Sequence, residues 1–286
     1  MKKRNKIILI GAVILLVAFK CYQMTILDSK EDENLKEITS DNICVALNYH
    51  RVKKPNIWFK SIETLTNSKE LSKYNVYEDE FRREMTMLKE QGAYFATLDE
   101  MIKFREEGNF PEKCVWISFD DVDKSVYENA FPILKEMNIP FTLFVIAGQV
   151  GNNDFNNLQM ATWDDLREMR DSGLASFGSH SYDMHYLEDD KAVFLEDTKY
   201  TEFKEDIIKS KETIENNLQV DVKAIAYPFG ETSDEITNIA KEAGYEEAFI
   251  LNSSPITPDS DPYYQNRYLI DEGAFNQVIV PWIEKN

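Results

Sequence analysis

The chain has 286 residues, 43% of them apolar, and is therefore long enough to bury one sizeable core. Its 51 acidic and 32 basic residues give a formal net charge of −19, without the basic stripe that neutralises phosphates, which argues against a nucleic-acid partner. The three cysteines, Cys21, Cys44 and Cys114, form no metal-spaced pair. Because Cys44 and Cys114 fall inside apolar runs, we interpret them as buried thiols.

The start of the chain has the pattern of an export segment. The basic residues of Met1–Lys6 precede thirteen apolar or small residues, Ile7–Phe19, whereas a membrane-spanning helix needs about twenty. We predict a signal peptide or membrane anchor over 1–28, with cleavage left open, then a linker over 29–42 and one folded domain over 43–286. The domain would lie outside the cytoplasmic membrane, extracellular and associated with the cell surface.

Apolar runs alternate with amphipathic segments along the rest of the chain. Strands are predicted at Ile43–Tyr49, Ala93–Thr97, Cys114–Phe119, Phe141–Ala147, Leu174–Gly178, Val222–Tyr227, Ala248–Leu251 and Arg267–Ile270. Helices are predicted at Glu78–Glu90, Leu98–Glu107, Ser125–Met137, Thr162–Gly173, Lys199–Leu218 and Ser233–Gly244. This alternation predicts an α/β fold with a parallel sheet closed or nearly closed into a barrel. Residues 57–74 are predicted to form a long loop.

Two adjacent carboxylates, Asp120 and Asp121, end the apolar run that begins at Cys114. Carboxylates at the edge of a core need compensation, which at the C-terminal end of a parallel strand is usually a metal or a substrate. The alternative is an Asp-Asp turn that caps the next helix, since Asp is a favoured N-cap. The histidines favour the functional interpretation, because all three lie at or just beyond the end of an apolar run: His50, His180 and His185.

The spacing of His180 and His185 restricts how they could act together. Five residues apart, they would point about 140° away from each other on a regular helix, so they could converge on one ion only from a turn. Two imidazoles and one carboxylate leave open positions for water and substrate on zinc, iron or a similar divalent ion. A second carboxylate would then remain beside the ion.

These residues resemble the polysaccharide deacetylase family, the NodB-homology domain of carbohydrate esterase family 4, from about Ile43 to the C-terminus. Phe119–Asp121 matches the first family motif, and His180–His185 matches the second with one additional residue between the histidines. The third motif, Ala226–Phe229, lacks the usual arginine. Both departures are similar to the subgroup that acts on poly-β-1,6-N-acetyl-D-glucosamine, the biofilm polymer.

The resemblance implies a distorted (β/α) barrel of about seven parallel strands, circularly permuted so that the strand ending at His50 comes first. It implies Asp120 as the general base and His50 as the general acid. Three residues would hold a divalent metal ion, with zinc first and cobalt, nickel or iron as alternatives: Asp121, His180 and His185. Arg267 is our candidate for bracing Asp120 in place of the missing arginine.

The implied function is metal-dependent removal of N-acetyl groups from the biofilm polymer, by a monomer at the cell surface. Four aromatic side chains are candidates for stacking on the sugar, although aromatic residues at strand ends are often core: Tyr182, Tyr227, Phe229 and Trp163. A backbone N–H near Tyr182 is a candidate donor to the oxyanion. The alternatives are a deacetylase of peptidoglycan or chitin-like β-1,4 chains, and a non-catalytic polysaccharide-binding module.

Overall fold

The computed structural model describes residues 37–54 and 74–285. The predicted export segment, most of the predicted linker and all but the last residue of the predicted loop over 57–74 lie outside the described residues. Within the described ranges, no helix combines the length and the apolar character needed to cross a membrane. The division of the chain into segments at 28 and 42 stays a prediction.

The strands follow the predicted alternation closely. In chain order they are β1 Cys44–Tyr49, β2 Arg51–Lys53, β3 Asn75–Tyr77, β4 Tyr94–Ala96, β5 Cys114–Phe119, β6 Phe141–Val145, β7 Ala175–Ser179, β8 Leu187–Glu188, β9 Lys191–Ala192, β10 Ala224–Ala226, β11 Glu247–Phe249 and β12 Tyr268–Leu269. Each of the eight predicted strands is present, with its ends shifted by at most two residues. The short strands β2, β3, β8 and β9 were not predicted.

The helices also agree with the prediction up to the last part of the chain. They are α1 Glu78–Glu90, α2 Leu98–Glu107, α3 Phe131–Met137, α4 Trp163–Asp171, α5 Tyr200–Leu218, α6 Asp234–Glu242, α7 Glu272–Ala274 and α8 Val280–Lys285. The predicted helix over Ser125–Met137 begins with a π-helical stretch, Val126–Ala130. The C-terminal helical segment, in which Phe275–Ile279 is also π-helical, was not predicted.

The sheet is parallel and curled. Its spatial order is β11, β10, β7, β6, β5, β1, β12, with β4 also pairing with β5. The two end strands of this path meet at one point, because Gln265, just before β12, forms an isolated parallel bridge with Phe249 of β11. The predicted α/β fold, a distorted barrel of about seven parallel strands, is confirmed. Every residue of β1, β5 and β6 is buried, as expected for strands covered on both faces.

The pairing of β1 with β5 determines where two of the predicted site residues emerge. The register runs from Cys44 opposite Cys114 to Tyr49 opposite Phe119. The next residues, His50 and Asp120, therefore leave the sheet side by side. The Asp120 N–H continues the pattern by donating to the Tyr49 carbonyl at 3.0 Å.

The same register corrects the prediction of two buried thiols. Cys44 and Cys114 lie directly opposite each other in β1 and β5, with their Cα atoms 4.6 Å apart, and their sulfurs form a disulfide. Both residues are fully buried. The prediction was wrong because the sequence alone does not show which strands are neighbours, and the two cysteines are 70 residues apart. Cys21 lies outside the described residues.

Candidate active site

A cavity of about 880 Å³ lies beyond the C-terminal ends of the central strands. The five residues with predicted catalytic or metal-binding roles all line it: His50, Asp120, Asp121, His180 and His185. They follow three different strands, β1, β5 and β7. The parallel sheet brings them together because the carboxyl ends of its strands meet at one edge.

Asp121, His180 and His185 form a group that can hold a metal ion. Their ligand atoms are 3.2 Å apart between the two Nε2 atoms, 3.6 Å from His180 Nε2 to Asp121 Oδ1 and 3.5 Å from His185 Nε2 to Asp121 Oδ1. Zinc bonds of about 2.0 Å in tetrahedral geometry imply separations of about 3.3 Å between ligand atoms. Asp121 Oδ1 is also buried without a hydrogen-bond partner among the described residues, so it is free to act as a ligand atom.

His180 is oriented by its second ring nitrogen. Its Nδ1 lies 2.7 Å from the carbonyl oxygen of Ala226, the last residue of β10. A carbonyl can only accept, so Nδ1 carries the proton and Nε2 offers a lone pair towards Asp121 and His185. Burial lowers the pKa of His180 to about 4, which keeps the ring neutral near neutral pH.

Asp120 is held by the residue that the sequence suggested. Arg267, the residue before β12, donates from Nη1 to Oδ1 at 2.7 Å and from Nη2 to Oδ2 at 2.8 Å. It also donates to the Ser118 hydroxyl at 3.2 Å. Burial alone would raise the pKa of Asp120, but the charge and hydrogen bonds of Arg267, with smaller contributions from His180 and His50, hold it well below its usual range. The carboxylate is therefore ionised at any physiological pH.

The two adjacent carboxylates point in different directions because the backbone turns sharply after β5. Asp121 and Val122 both have left-handed backbone angles, with φ of 63° and 65°. The turn is tight, since the Val122 N–H donates to the Asp120 carbonyl at 2.6 Å. This conformation is unfavourable for a β-branched residue such as Val122 and is the kind of strain that is retained at functional sites.

His50 faces the cavity without a hydrogen-bond partner for its Nδ1 atom in the described part of the chain. Its ring packs against Tyr74 at 4.8 Å between ring centres. Burial lowers the pKa of His50, while the carboxylates of Asp121 and Asp120 act in the opposite direction. A buried ring with a free nitrogen can exchange a proton with a bound molecule.

Only one of the four predicted sugar-stacking residues lines the cavity. Phe229 does, with its ring centre 4.5 Å from that of His185. Trp163 begins α4, Tyr227 is buried and donates its hydroxyl to the Tyr263 carbonyl, and neither is among the described residues that line the cavity. These two predictions are not supported, because the position of an aromatic residue near a strand end does not show which way it faces.

Tyr182 also lies off the cavity, with Lys209 Nζ 3.7 Å above the centre of its ring. Its backbone N–H is not available as an oxyanion donor, since it donates to Asp206 Oδ2 at 2.7 Å. The prediction of an oxyanion donor at this position is therefore wrong.

Sequence reasoning did not single out several residues of the site. Phe155, Tyr186, Leu187 and Leu251 line the cavity, and Tyr186 and Leu187 are 38% and 49% exposed, which leaves apolar surface at its rim. These residues lie in loops or in the short strand β8 and belong to no motif. The one sequence signal for any of these residues was that Tyr186 is an aromatic residue next to His185, a predicted metal ligand.

The comparisons with known proteins agree with this geometry. The polysaccharide deacetylase family model matches residues 107–248. Relatives named poly-β-1,6-N-acetyl-D-glucosamine N-deacetylase are 37% identical, over 99% of this chain and 98% of the Staphylococcus aureus protein and over 98% and 97% for Staphylococcus epidermidis. The solved structure of IcaB from Ammonifex degensii is similar with a TM-score of 0.77 and 30% identity, covering 87% of this chain and all of that one.

Proposed function

We propose that the substrate of this chain is poly-β-1,6-N-acetyl-D-glucosamine. The chain belongs to the polysaccharide deacetylase family and is a polysaccharide N-deacetylase. The reaction would hydrolyse the acetamide on the sugar, release acetate and leave a free amine. The staphylococcal relatives that carry this substrate in their names align with nearly the whole chain, which includes every residue of the site.

The observation that carries the proposal is the meeting of five side chains in one cavity. Three of them, Asp121, His180 and His185, have the separations of zinc ligands, and two more, Asp120 and His50, lie beside them. Hydrolysis of an amide needs an activated water, a base and an acid for the departing amine. This group of residues can supply all three.

We assign the metal site to Asp121, His180 and His185, with zinc as the first candidate. A divalent ion bound there would lower the pKa of a water molecule and polarise the acetyl carbonyl. The residues fit this use, because the neutral Nε2 of His180 and the unpartnered Oδ1 of Asp121 both point at the same position. Asp121, ionised and buried, supplies the negative charge that a divalent cation needs nearby.

We assign the proton transfers to Asp120 and His50. Asp120 is ionised and its orientation is fixed by Arg267, so it can accept a proton from the attacking water. His50 directly follows the neighbouring strand β1 and would give a proton to the sugar nitrogen as the C–N bond breaks. Phe229, which lines the cavity beside His185, would contact the sugar.

We place this reaction outside the cytoplasmic membrane. The basic start and apolar run within residues 1–28 are typical of an export segment. The polymer substrate, too large to cross the membrane freely, would be met at the cell surface. The net charge of −19 would suit a product that carries free, partly protonated amines.

The test combines metal analysis with acetate release from β-1,6-linked and β-1,4-linked N-acetylglucosamine oligomers, assayed side by side before and after chelation. We expect about one divalent ion per chain, faster release from the β-1,6 oligomers, loss of activity on chelation and recovery with zinc. Faster release from β-1,4 oligomers would identify a peptidoglycan or chitin-like deacetylase. Polymer binding without acetate release would identify a non-catalytic module.

A further inference from the structure

The loop between His180 and His185 is hydrogen-bonded to the carboxylate of Asp206, a residue that belongs to no motif. We propose that Asp206 is a positioning residue that fixes the backbone of residues 182–184 and thereby places His185 beside His180 and Asp121. This proposal rests on the proposed function in one respect, since it takes His180, His185 and Asp121 as the metal ligands.

The spacing of the histidines creates a need for such a residue. His180 and His185 are separated by four residues in a loop that is neither helix nor strand, and Ser181 adopts a left-handed backbone with φ of 77°. A loop of this kind has few hydrogen bonds of its own. Its backbone groups must be paired with other parts of the molecule if the two rings are to stay 3.2 Å apart at Nε2.

Asp206 pairs with three consecutive N–H groups of that loop. Its Oδ2 accepts from Tyr182 at 2.7 Å, and its Oδ1 accepts from Asp183 at 2.8 Å and from Met184 at 3.1 Å. Successive N–H groups directed at one negative group form a concave anion site. Here the anion is a side chain of α5, so the loop is attached to a long helix.

The carbonyl groups of the loop accept hydrogen bonds from residues outside it. Gly148 donates its N–H to the Tyr182 carbonyl at 2.8 Å, and the Ser210 hydroxyl donates to the Ser181 carbonyl at 2.9 Å. A Cβ atom at Gly148 would lie 2.5 Å from the Tyr182 carbonyl oxygen, so the loop packs against this position too closely for any residue with a side chain. Among these partners, Asp206 alone carries a charge, and charged acceptors form the stronger hydrogen bonds.

The two histidines depend on this support to different degrees. The ring of His180 has its own anchor, the hydrogen bond from Nδ1 to the Ala226 carbonyl. The ring of His185 has no such backbone anchor among the described residues: its Nε2 lies 3.2 Å from His180 Nε2 and 3.5 Å from Asp121 Oδ1, and the ring packs on Phe229 and Phe155. Because these contacts are all to side chains, the position of His185 depends more than that of His180 on the backbone that precedes it, which Asp206 holds.

The test measures metal affinity in the full chain, with zinc as the probe and a chromophoric chelator as competitor. Asp206→Ala removes all three acceptor bonds, and Asp206→Asn keeps one carbonyl oxygen but places an N–H₂ group against the remaining donors. We expect the zinc dissociation constant to rise about 10- to 100-fold in Asp206→Ala, the range seen when partners of metal ligands are removed, and by less in Asp206→Asn.

Glu215→Gln is the matched control. Glu215 lies on the same helix and its carboxylate also accepts a backbone N–H, from Val222 at 3.1 Å, but Val222 is not part of the loop between the two histidines. This control should keep the zinc affinity of the unaltered protein. The visible absorption of the cobalt-substituted protein gives a second readout, since it reports ligand number and geometry and should change in the Asp206 variants alone.

Thermal unfolding of the metal-free proteins separates positioning from a general structural role. If Asp206 only stabilised the fold, the variants would lose Tm without a change in zinc affinity or in the cobalt spectrum, and that result would overturn the proposal. If Asp206→Ala does not fold, the same comparison is made with Asp206→Asn. A failure of the proposed metal site itself looks different, because the unaltered protein would then bind no zinc or keep its zinc in His180→Ala.

Discussion

The Arg267 guanidinium donates two parallel hydrogen bonds to the Asp120 carboxylate, although the two residues are 147 positions apart in the chain. Both side chains are essentially inaccessible to water. In this protein the guanidinium comes from the residue before the last strand of the sheet, whereas the third motif has Ala226 where an arginine is usual. The proposed base is therefore held by a residue that immediately precedes β12 and not by one in the third motif.

Removing that guanidinium should change how activity depends on pH. Burial raises the pKa of Asp120 and Arg267 more than offsets it, so Arg267→Gln should raise the pKa of this carboxyl. A base must be ionised to accept a proton, so activity should fall as pH drops through the raised pKa. We expect kcat/KM to fall by about tenfold or more at pH 5, with a smaller deficit at pH 8, in a pH-rate profile.

Arg105→Gln is the matched control for that profile. Arg105 pairs with the buried carboxylate of Glu247, also in the core, but neither residue lines the cavity. Both arginine variants should lower the free energy of unfolding, by about 3–5 kcal/mol for Arg267→Gln, which leaves the buried carboxylate of Asp120 without its charged partner. The loss should be smaller for Arg105→Gln, because Glu247 keeps a hydrogen bond from the Gln265 side chain. A pH-rate profile that shifts equally in both variants would contradict a specific role for Arg267.

Asp120→Asn should stop turnover while the metal stays bound. The amide keeps the shape of the side chain but cannot take a proton from water, and loss of a general base costs about 10²- to 10⁴-fold in kcat. Acetate release and metal content measured on the same sample check this. Near-normal acetate release would show that the base is a different group, with His50 the next candidate.

His180→Ala should lose the metal. The substitution removes one of the three proposed ligand atoms. Among the described residues of the site, His180 is also the histidine whose ring is anchored to a backbone carbonyl. His50→Ala is the control, because it removes a cavity-lining imidazole outside the ligand group. Metal content should fall to near zero in the first variant and stay near one ion per chain in the second. Equal metal content in both would mean that the ligands are misassigned.

The disulfide between Cys44 and Cys114 should contribute to stability and leave the chemistry unaffected. It closes a loop with a sequence separation of 70, for which chain entropy gives about 4 kcal/mol. We expect Cys44→Ala/Cys114→Ala to unfold at lower denaturant concentration and to keep its kcat below the unfolding transition. In a Cys21→Ser chain, thiol titration in denaturant should find no thiol before reduction and two afterwards.

The site was largely predictable because its polar residues interrupt apolar runs. Asp120, His50 and His180 each follow directly after the buried C-terminal end of a strand, and a parallel fold brings such positions to one edge. The spacing of His180 and His185 added the requirement for a turn, which the structure contains. Arg267 could be suggested because a buried base without its usual partner needs another cation.

Other features could not be predicted because they depend on register or on side-chain direction. The pairing of Cys44 with Cys114 requires knowing that β1 and β5 are neighbours, which is a non-local fact. Tyr227 follows a strand just as His180 does, yet its side chain turns into the core. Asp206 is one of several acids on a charged helix, and nothing in the sequence distinguishes it from the exposed ones.

The placement of β12 against β1 has a consequence for when the enzyme becomes active. β1 is the first strand of the sheet to leave the ribosome or an export channel, and its two neighbours, β5 and β12, both follow later in the chain. Contacts between such distant segments form slowly. A partly exported chain would carry every proposed metal ligand but would still lack Arg267, so full deacetylase activity would be reached only after the final strand had been delivered.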